Sequence, residues 1–175
     1  MRRFRPIRSQ FLWTYVITWT LLGNVVAYFF MSGGPTFYER ITGSDRFTVL
    51  TSYLSQQAPM TNEIRDWLWT NYASGLAGSA TGISAFPSLH LALATLFVIQ
   101  AWHFDRRLGF VLGAFCAVIQ IGSVHLGWHY AIDGYFSIIA TMLIWKATGW
   151  VLARGPNEAR ANNPSLSAAY RLRES

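Results

Sequence analysis

Histidine and aspartate recur every fourth residue in one short segment of the chain. The segment, SVHLGWHYAID at residues 123–133, contains His125, His129 and Asp133 next to long apolar runs. Side chains four residues apart are neighbours on a helix, so Asp133 can accept a hydrogen bond from one ring nitrogen of His129. That bond would fix the tautomer of the imidazole and leave its other nitrogen as a nucleophile. The spacing therefore predicts a catalytic pair, while His125, close to a glycine, is expected to have a structural role or to donate to phosphate.

A second group of polar residues lies where an apolar run begins, in SAFPSLHLALATLF at residues 84–97. Pro87 is suited to the first position of a helix. The amides of Ser88, Leu89 and His90 would then have no acceptor within the helix, and with the helix dipole they favour an anion such as phosphate. Ser88 can add a hydroxyl donor, and His90 can protonate a phosphate oxygen. A histidine that only reaches the membrane surface is the alternative for His90.

Two other interpretations use the same side chains. A metal site would take its ligands from residue types that zinc prefers, here His90, His125, His129 and Asp133. Polar residues also join helices in membrane proteins without any catalysis. The catalytic hypothesis predicts that replacing His129 abolishes turnover, whereas the structural one predicts a folding defect.

The composition is that of a membrane protein, because 52% of the residues are hydrophobic and 13% are charged. Residues 11–31 carry no charge, and such a run is long enough to cross a hydrocarbon core of about 30 Å. Further spans are predicted at residues 84–103, 108–124 and 130–151. The predicted fold class is therefore all-α, an integral membrane bundle of about four transmembrane helices.

The positive charges indicate how this bundle is oriented. Arginines cluster before the first span, between the second and third spans, and after the fourth. By the positive-inside rule both termini are cytoplasmic, and the long loop 32–83 and the turn before His129 face outward. Topology accounts for the net charge of +6, so no nucleic-acid partner is expected. The lone Cys116 predicts no disulfide.

Three regions follow from this topology. Residues 1–10 form a basic cytoplasmic N-terminus, residues 11–152 a transmembrane catalytic domain, and residues 153–175 a disordered cytoplasmic tail. The abundance of arginine over lysine favours a bacterial protein, with the site on the periplasmic side of the inner membrane.

The outward loop is predicted to contain short interfacial helices. Residues 62–76, NEIRDWLWTNYASGL, have the pattern of an amphipathic helix with Asn62 as its N-cap. One face of that helix would carry Ile64, Trp67, Leu68 and Tyr72. A second short helix is suggested by Phe47, Leu50 and Leu54. A lid that packs on the bundle is the alternative to a helix in the lipid interface.

Two of these motifs resemble a known family. FPSLH at residues 86–90 and HYAID at residues 129–133 resemble the second and third motifs of the type-2 phosphatidic acid phosphatase superfamily. The resemblance, which covers residues 82–139, implies that His129 attacks phosphorus to form a phosphohistidine. It also implies that Asp133 orients His129, that His90 protonates the leaving alkoxide, and that Ser88 binds phosphate. It implies no metal and no other cofactor.

The chain also departs from the family pattern. The lysine of the first motif is missing, Leu89 stands where the second motif has glycine, and Ser123 stands where the third has arginine. An outward cation would have to compensate, and Arg40 is the first choice, followed by Arg65. The phosphate-binding set is then Ser88, Leu89 and Arg40.

These departures resemble the inositol phosphorylceramide synthase-like branch, whose members transfer a phosphoryl headgroup between lipids. The implied substrate is a phospholipid, or an isoprenoid or sphingolipid phosphate, with water or an alcohol as acceptor. The helices that normally precede the catalytic core in this family are missing here. A second copy of the chain or a partner protein is expected to supply them.

Overall fold

The first membrane-length helix carries a widened turn near its C-terminal end. The computed structural model describes residues 4–75 and 83–161. Helix α1 (Phe4–Thr20) continues through the π-helical segment Leu21–Val26 into α2 (Ala27–Phe29), so the three form one rod. The rod begins at Phe4, before the predicted start of the membrane span at residue 11. Pro6 is compatible with this start because it lies in the first turn, where a helix tolerates proline.

Three short helices follow in the loop that was expected to face outward. They are α3 (Pro35–Thr42), α4 (Thr48–Gln57) and α5 (Pro59–Ala73), and together we call them the cap. The sequence had suggested α4 and α5 but not α3. Proline at the first position of α3 and the left-handed Gly43 (φ 70°) after its end are the signals that could have predicted it.

The predicted N-cap of α5 is wrong. Its N-cap is Ala58 and its first position is proline, so Asn62 lies inside the helix. The Asn62 side chain instead donates to the carbonyl oxygen of Leu54 at 3.3 Å and ties α5 to α4. Of the residues predicted to form its apolar face, Ile64, Trp67 and Tyr72 are exposed and Leu68 is half-buried.

The remaining helices form the centre of the bundle. They are α6 (Leu89–Phe104), α7 (Arg106–His125) and α8 (Ala131–Ala161). Helix α6 is central, because it packs on α1, α7 and α8 and buries Leu91 and Leu96 completely. Helix α7 packs mainly on α6 and touches α8 only slightly.

Length and composition identify the spans of the described chain. The helical stretches Ile7–Phe29, Arg106–His125 and Ala131–Arg154 are long and apolar enough to cross a membrane. Helix α6 is apolar but has 16 residues, or about 24 Å at 1.5 Å per residue. The predicted all-α membrane bundle is confirmed, with three full-length spans and one shorter central helix.

Two predicted boundaries differ from the structure. The second span begins at Leu89 rather than at residue 84, because residues 83–88 are not helical. Helix α8 continues to Ala161, past the predicted start of the tail at residue 153. Residues 158–161, EARA, are strong helix formers and favour this extension, whereas Gly155 and Pro156 before them do not. The rest of the predicted tail, residues 162–175, lies outside the described residues.

Candidate active site

His129 lies between the end of one helix and the start of the next. Helix α7 ends in a Schellman motif, in which Gly127 adopts φ 70° and its amide donates to the carbonyl of Val124 at 3.0 Å. The amides of Trp128 and His129 both donate to the carbonyl of Ser123, at 3.0 and 3.2 Å. This reversal interrupts the every-fourth-residue spacing, so His125 is on the preceding helix and does not share a helical face with His129.

Asp133, in the first turn of α8, fixes the chain immediately after His129 by bonding the residue before the helix, Tyr130. Its Oδ2 accepts from the Tyr130 amide at 2.7 Å, and its own amide donates to the Tyr130 carbonyl at 3.1 Å. A carboxylate in the first turn is also favoured by the helix dipole. Asp133 is 2% exposed, so both backbone and side chain are held.

A backbone carbonyl, rather than the aspartate, bonds the His129 ring. Nδ1 of His129 lies 2.6 Å from the carbonyl oxygen of Ala85 and 3.7 Å from Oδ2 of Asp133. Because a carbonyl oxygen can only accept, Nδ1 carries the hydrogen and Nε2 keeps its lone pair. The expected hydrogen bond from His129 to Asp133 is therefore replaced by one to Ala85, and Asp133 acts on the ring as a nearby charge.

Nε2 of His129 points at the N-terminus of α6. The Oγ of Ser88 lies 3.4 Å from it and Ser88 is completely buried. The prediction that Pro87 begins this helix is wrong, because Ser88 is the extended N-cap (ψ 100°) and Leu89 the first helical residue. The amides without an intrahelical acceptor are thus the predicted ones of Ser88, Leu89 and His90, together with that of Leu91.

Leu89 contributes its amide to this helix start, while its side chain points elsewhere. A Cβ placed on Gly23 would lie 3.2 Å from Cδ2 of Leu89, so the leucine fills the space beside the π-helical segment of the first rod. The larger residue at this motif position is accommodated by a glycine on the facing helix.

A cavity of about 570 Å³ adjoins the two histidines. The ring centroids of His90 and His129 are 6.5 Å apart, and His90 is exposed. The walls come from the cap, from α7 and from the turn before α8, and they are mostly apolar, including Phe37, Ile64, Leu68, Ile119 and Trp128. The site therefore combines two neighbouring histidines with a mostly apolar volume suited to a hydrocarbon chain.

The cap is attached directly to the turn that carries His129. The amide of Thr36 donates to the Gly127 carbonyl at 2.9 Å, and the Phe37 ring packs edge-on against Trp128 at 6.0 Å. A Cβ on Gly34 would overlap the Trp128 carbonyl oxygen. Sequence reasoning missed Gly34 and Ala85, whose contacts are made through the backbone, and only the glycine next to Pro35 offered any signal.

Arg40 and His125 are not brought into the cavity. Arg40 pairs with Asp66 at 2.6 Å, and its guanidinium lies over the Trp69 ring at 5.5 Å from the centroid. His125 is exposed at the end of α7. Neither residue is part of the lining of the cavity, so Ser88, His90, His129 and Asp133 are the predicted site residues that the fold gathers around the histidine pair.

The metal-site interpretation would need three or more ligating side chains together. Within residues 4–75 and 83–161, no such group of His, Cys, Asp or Glu side chains is found. His125 is separated from the others by the turn at Gly127, which leaves the histidine pair with a single nearby carboxylate.

Burial controls the protonation of His129. Removal from water lowers the pKa of this imidazole below its usual value, and the neighbouring His90 adds to that effect. The hydrogen bond to the Ala85 carbonyl and the charge of Asp133 oppose the shift without reversing it. His129 is therefore neutral near neutral pH, as a nucleophile must be.

Apolar helices long enough to span a membrane, with a histidine pair beside a cavity at one end of the bundle, define the class of protein. The family comparison agrees, because the model of the PAP2 superfamily matches residues 1–147. The chain belongs to the PAP2 superfamily, which supports a phosphatase-type enzyme acting on lipids. No curated protein and no solved structure matches the chain at a significant level.

Proposed function

We propose that the chain is a lipid phosphatase or phosphotransferase that works through a phosphohistidine at His129. It would take a phosphoryl group, with or without its headgroup, from a membrane lipid and pass it to water or an alcohol. The observation that carries the proposal is Nε2 of His129, which keeps its lone pair and lies 3.4 Å from the Ser88 hydroxyl at the start of α6. A nucleophile and an anion-binding helix terminus meet at this point.

In the first step Nε2 of His129 bonds to phosphorus and the bond from phosphorus to the lipid oxygen breaks. His90 gives its proton to that leaving oxygen. The Ser88 hydroxyl and the amides at the start of α6 stabilise the charge on the phosphoryl oxygens. Asp133 stabilises the positive charge that develops on the His129 ring.

In the second step an acceptor hydroxyl attacks the phosphohistidine. His90, now without its proton, accepts the proton of that hydroxyl, and the phosphorus–nitrogen bond breaks. Water as the acceptor gives a phosphatase and a lipid alcohol gives a phosphotransferase, the activity of the inositol phosphorylceramide synthase-like branch. The apolar walls formed by Ile64, Leu68 and Ile119 would receive the hydrocarbon chain from the side.

The orientation forms part of the proposal. With the arginine-rich ends of the chain in the cytoplasm, the cap and both histidines lie on the outer side. In a bacterium this is the periplasmic face of the inner membrane. A second copy or a partner protein would then cover the face of α7 that α6 leaves open.

Intact mass spectrometry of the detergent-purified protein tests the covalent step. The protein is incubated with phosphatidate, phosphatidylinositol or a prenyl phosphate in the presence of a strong chelator. We expect an adduct on the unmodified protein and none on His129→Ala. The matched control is His125→Ala, which should keep the adduct because His125 is exposed and is not part of the cavity lining.

Two outcomes would overturn the proposal. An adduct that persists in a folded His129→Ala variant would assign the nucleophile elsewhere. The absence of both adduct and product with every donor, together with bound zinc that the chelator removes, would replace the phosphohistidine with the metal-site interpretation.

A further inference from the structure

Gly122 is a glycine of α7 that faces the cavity beside His129. It lies in the last turn of the helix and lines the cavity together with Ile119 and Ser123. Ile119 is three residues before Gly122 and four before Ser123, so the three share one face of the helix. A Cβ added at Gly122 would meet no described heavy atom within 4 Å. The missing side chain therefore leaves open space at the cavity wall.

A second glycine of the same helix lies on the opposite side. Gly113 is nine residues before Gly122 (122 − 113), which is about two and a half turns of a helix. It is half-buried, as Gly122 is, and a Cβ added there would also meet no described atom within 4 Å. Gly113 is not part of the cavity lining. The two glycines thus differ in the side of α7 that they face and not in the space around them.

Gly122 is held against the turn that carries His129. Its carbonyl accepts the Leu126 amide at 2.9 Å, and the carbonyl of the next residue, Ser123, accepts the amides of Trp128 and His129 at 3.0 and 3.2 Å. The open space is therefore at the reacting end of the cavity. A donor with its phosphorus at Nε2 of His129 would have the part of its hydrocarbon nearest the phosphate beside Gly122.

Large apolar side chains form the wall that the cap contributes to the same cavity. Ile64 and Leu68, one helical turn apart in α5, line the cavity with Phe37 of α3. On the α7 side, Ile119 fills part of the wall and Gly122 leaves the rest open. The room for hydrocarbon close to His129 thus depends on the absence of a side chain at position 122.

The width of a lipid donor near its phosphate depends on the number of its chains. In a donor with two chains, both start from neighbouring carbons close to the phosphate, so the molecule is widest there. A donor with one chain is slender at the same place. The open space at Gly122 suits the wider donor, and any larger side chain at position 122 would occupy the space that the second chain needs.

We propose that Gly122 is a specificity-determining residue, which admits donors with two hydrocarbon chains to the site beside His129. This inference rests on the proposed function. A larger residue at position 122 favours single-chain donors and does not disturb α7, because Gly122 does not have a positive φ. Alanine and leucine are also better helix formers than glycine. Stability and the acceptance of two-chain donors should therefore change in opposite directions.

Matched donors and matched variants test this assignment. Phosphatidate is compared with lysophosphatidate, and phosphatidylinositol with lysophosphatidylinositol, with the same acyl chain and headgroup within each pair. The kcat/KM values are measured by loss of the donor, which registers transfer to water and to an alcohol alike. Gly122→Leu should lower the ratio of the two-chain to the single-chain value by about tenfold or more, and Gly122→Ala should lower it less. Gly113→Leu should leave the ratio unchanged.

Thermal unfolding of the same variants checks that position 122 is open. Gly122→Leu and Gly113→Leu should both unfold at or above the temperature of the wild type. A Gly122→Leu variant that unfolds well below Gly113→Leu would show that position 122 is closely packed, and it would overturn the assignment.

The other outcomes separate this inference from the proposal on which it rests. An unchanged donor ratio in folded Gly122→Leu, with activity lost in His129→Ala, would overturn the role of Gly122 and keep the phosphohistidine mechanism. A wild type that consumes single-chain donors alone would do the same. No loss of any donor, and no adduct on His129, would overturn both.

Discussion

At the scale of single residues, Asp133 performs two tasks with one carboxylate. It caps α8 through the Tyr130 amide and places its charge beside the His129 ring without a hydrogen bond. The tautomer of His129 is fixed by the Ala85 carbonyl instead. Replacing Asp133 should therefore weaken the start of α8 and change the pKa of His129. These two effects can be measured separately.

Replacing Asp133 with asparagine should lower the pKa of His129 further. Burial already lowers that pKa, and the Asp133 charge is one of the effects that raise it. The acid limb of kcat/KM should lie below pH of about 6.5 in the wild type and move to lower pH in Asp133→Asn, while kcat falls. Carbethoxylation of His129 followed by mass spectrometry against pH measures the same shift without turnover. A limb that moves to higher pH would contradict the assigned role of the carboxylate.

At the scale of elements, the position of His129, the proposed nucleophile, depends on how one helix ends and the next begins. A Schellman motif closed by Gly127 and the bond from the Tyr130 amide to Asp133 leave His129 little freedom between them. The start of α3 then bonds the same turn through Thr36. The site is therefore set mainly by backbone contacts between helix termini.

Gly127→Ala should destabilise this turn and reduce activity. Gly127 has φ 70°, a conformation that costs a residue with a Cβ about 1–2 kcal/mol. We expect thermal unfolding to shift down and kcat to fall. Gly113→Ala is the matched control, because it lies within α7 and an added Cβ there would meet nothing within 4 Å. Equal losses in both variants would show that the turn has no special role.

The sequence was enough to predict that His90 and His129 lie close together, but not which backbone contacts hold them in place. His90, His129 and Ser88 could be placed on one face because apolar spans and arginines fix the topology. The bond of His129 to the Ala85 carbonyl and the bond of Thr36 to Gly127 are backbone contacts between distant segments, which residue types do not encode. Arg40 was expected to bind phosphate because of its positive charge. In the structure its guanidinium is paired with the carboxylate of Asp66 instead.

At the scale of the whole molecule, the bundle separates an apolar cavity at one end from the basic turn before α7 and the start of α1 at the other. The cap and the histidine pair lie at the start of α6 and α8, and Arg106 and Arg107 lie at the turn between α6 and α7. The Gln10 bond to Trp145 places the start of α1 at that same distant end.

Cysteine labelling should report these two ends on opposite sides of the membrane. In a Cys116→Ala background, Ser55→Cys in α4 should react with an impermeant maleimide in intact cells, because Ser55 is exposed. Arg107→Cys, also exposed, should react only after permeabilisation. The opposite pattern would reverse the proposed orientation, and labelling of both in intact cells would contradict a spanning α6–α7 pair.

The preference of α7 for α6 over α8 has a consequence for biogenesis. The two helices form an antiparallel hairpin whose tip is capped by Asp105, with its carboxylate 2.6 Å from the Arg107 amide. Such a hairpin can enter the bilayer as one unit. Its two free ends carry Ser88 and His90 on one arm and the turn to His129 on the other. One insertion event thus delivers both histidine-bearing segments of the site, and the docking of α8 and of the cap completes it.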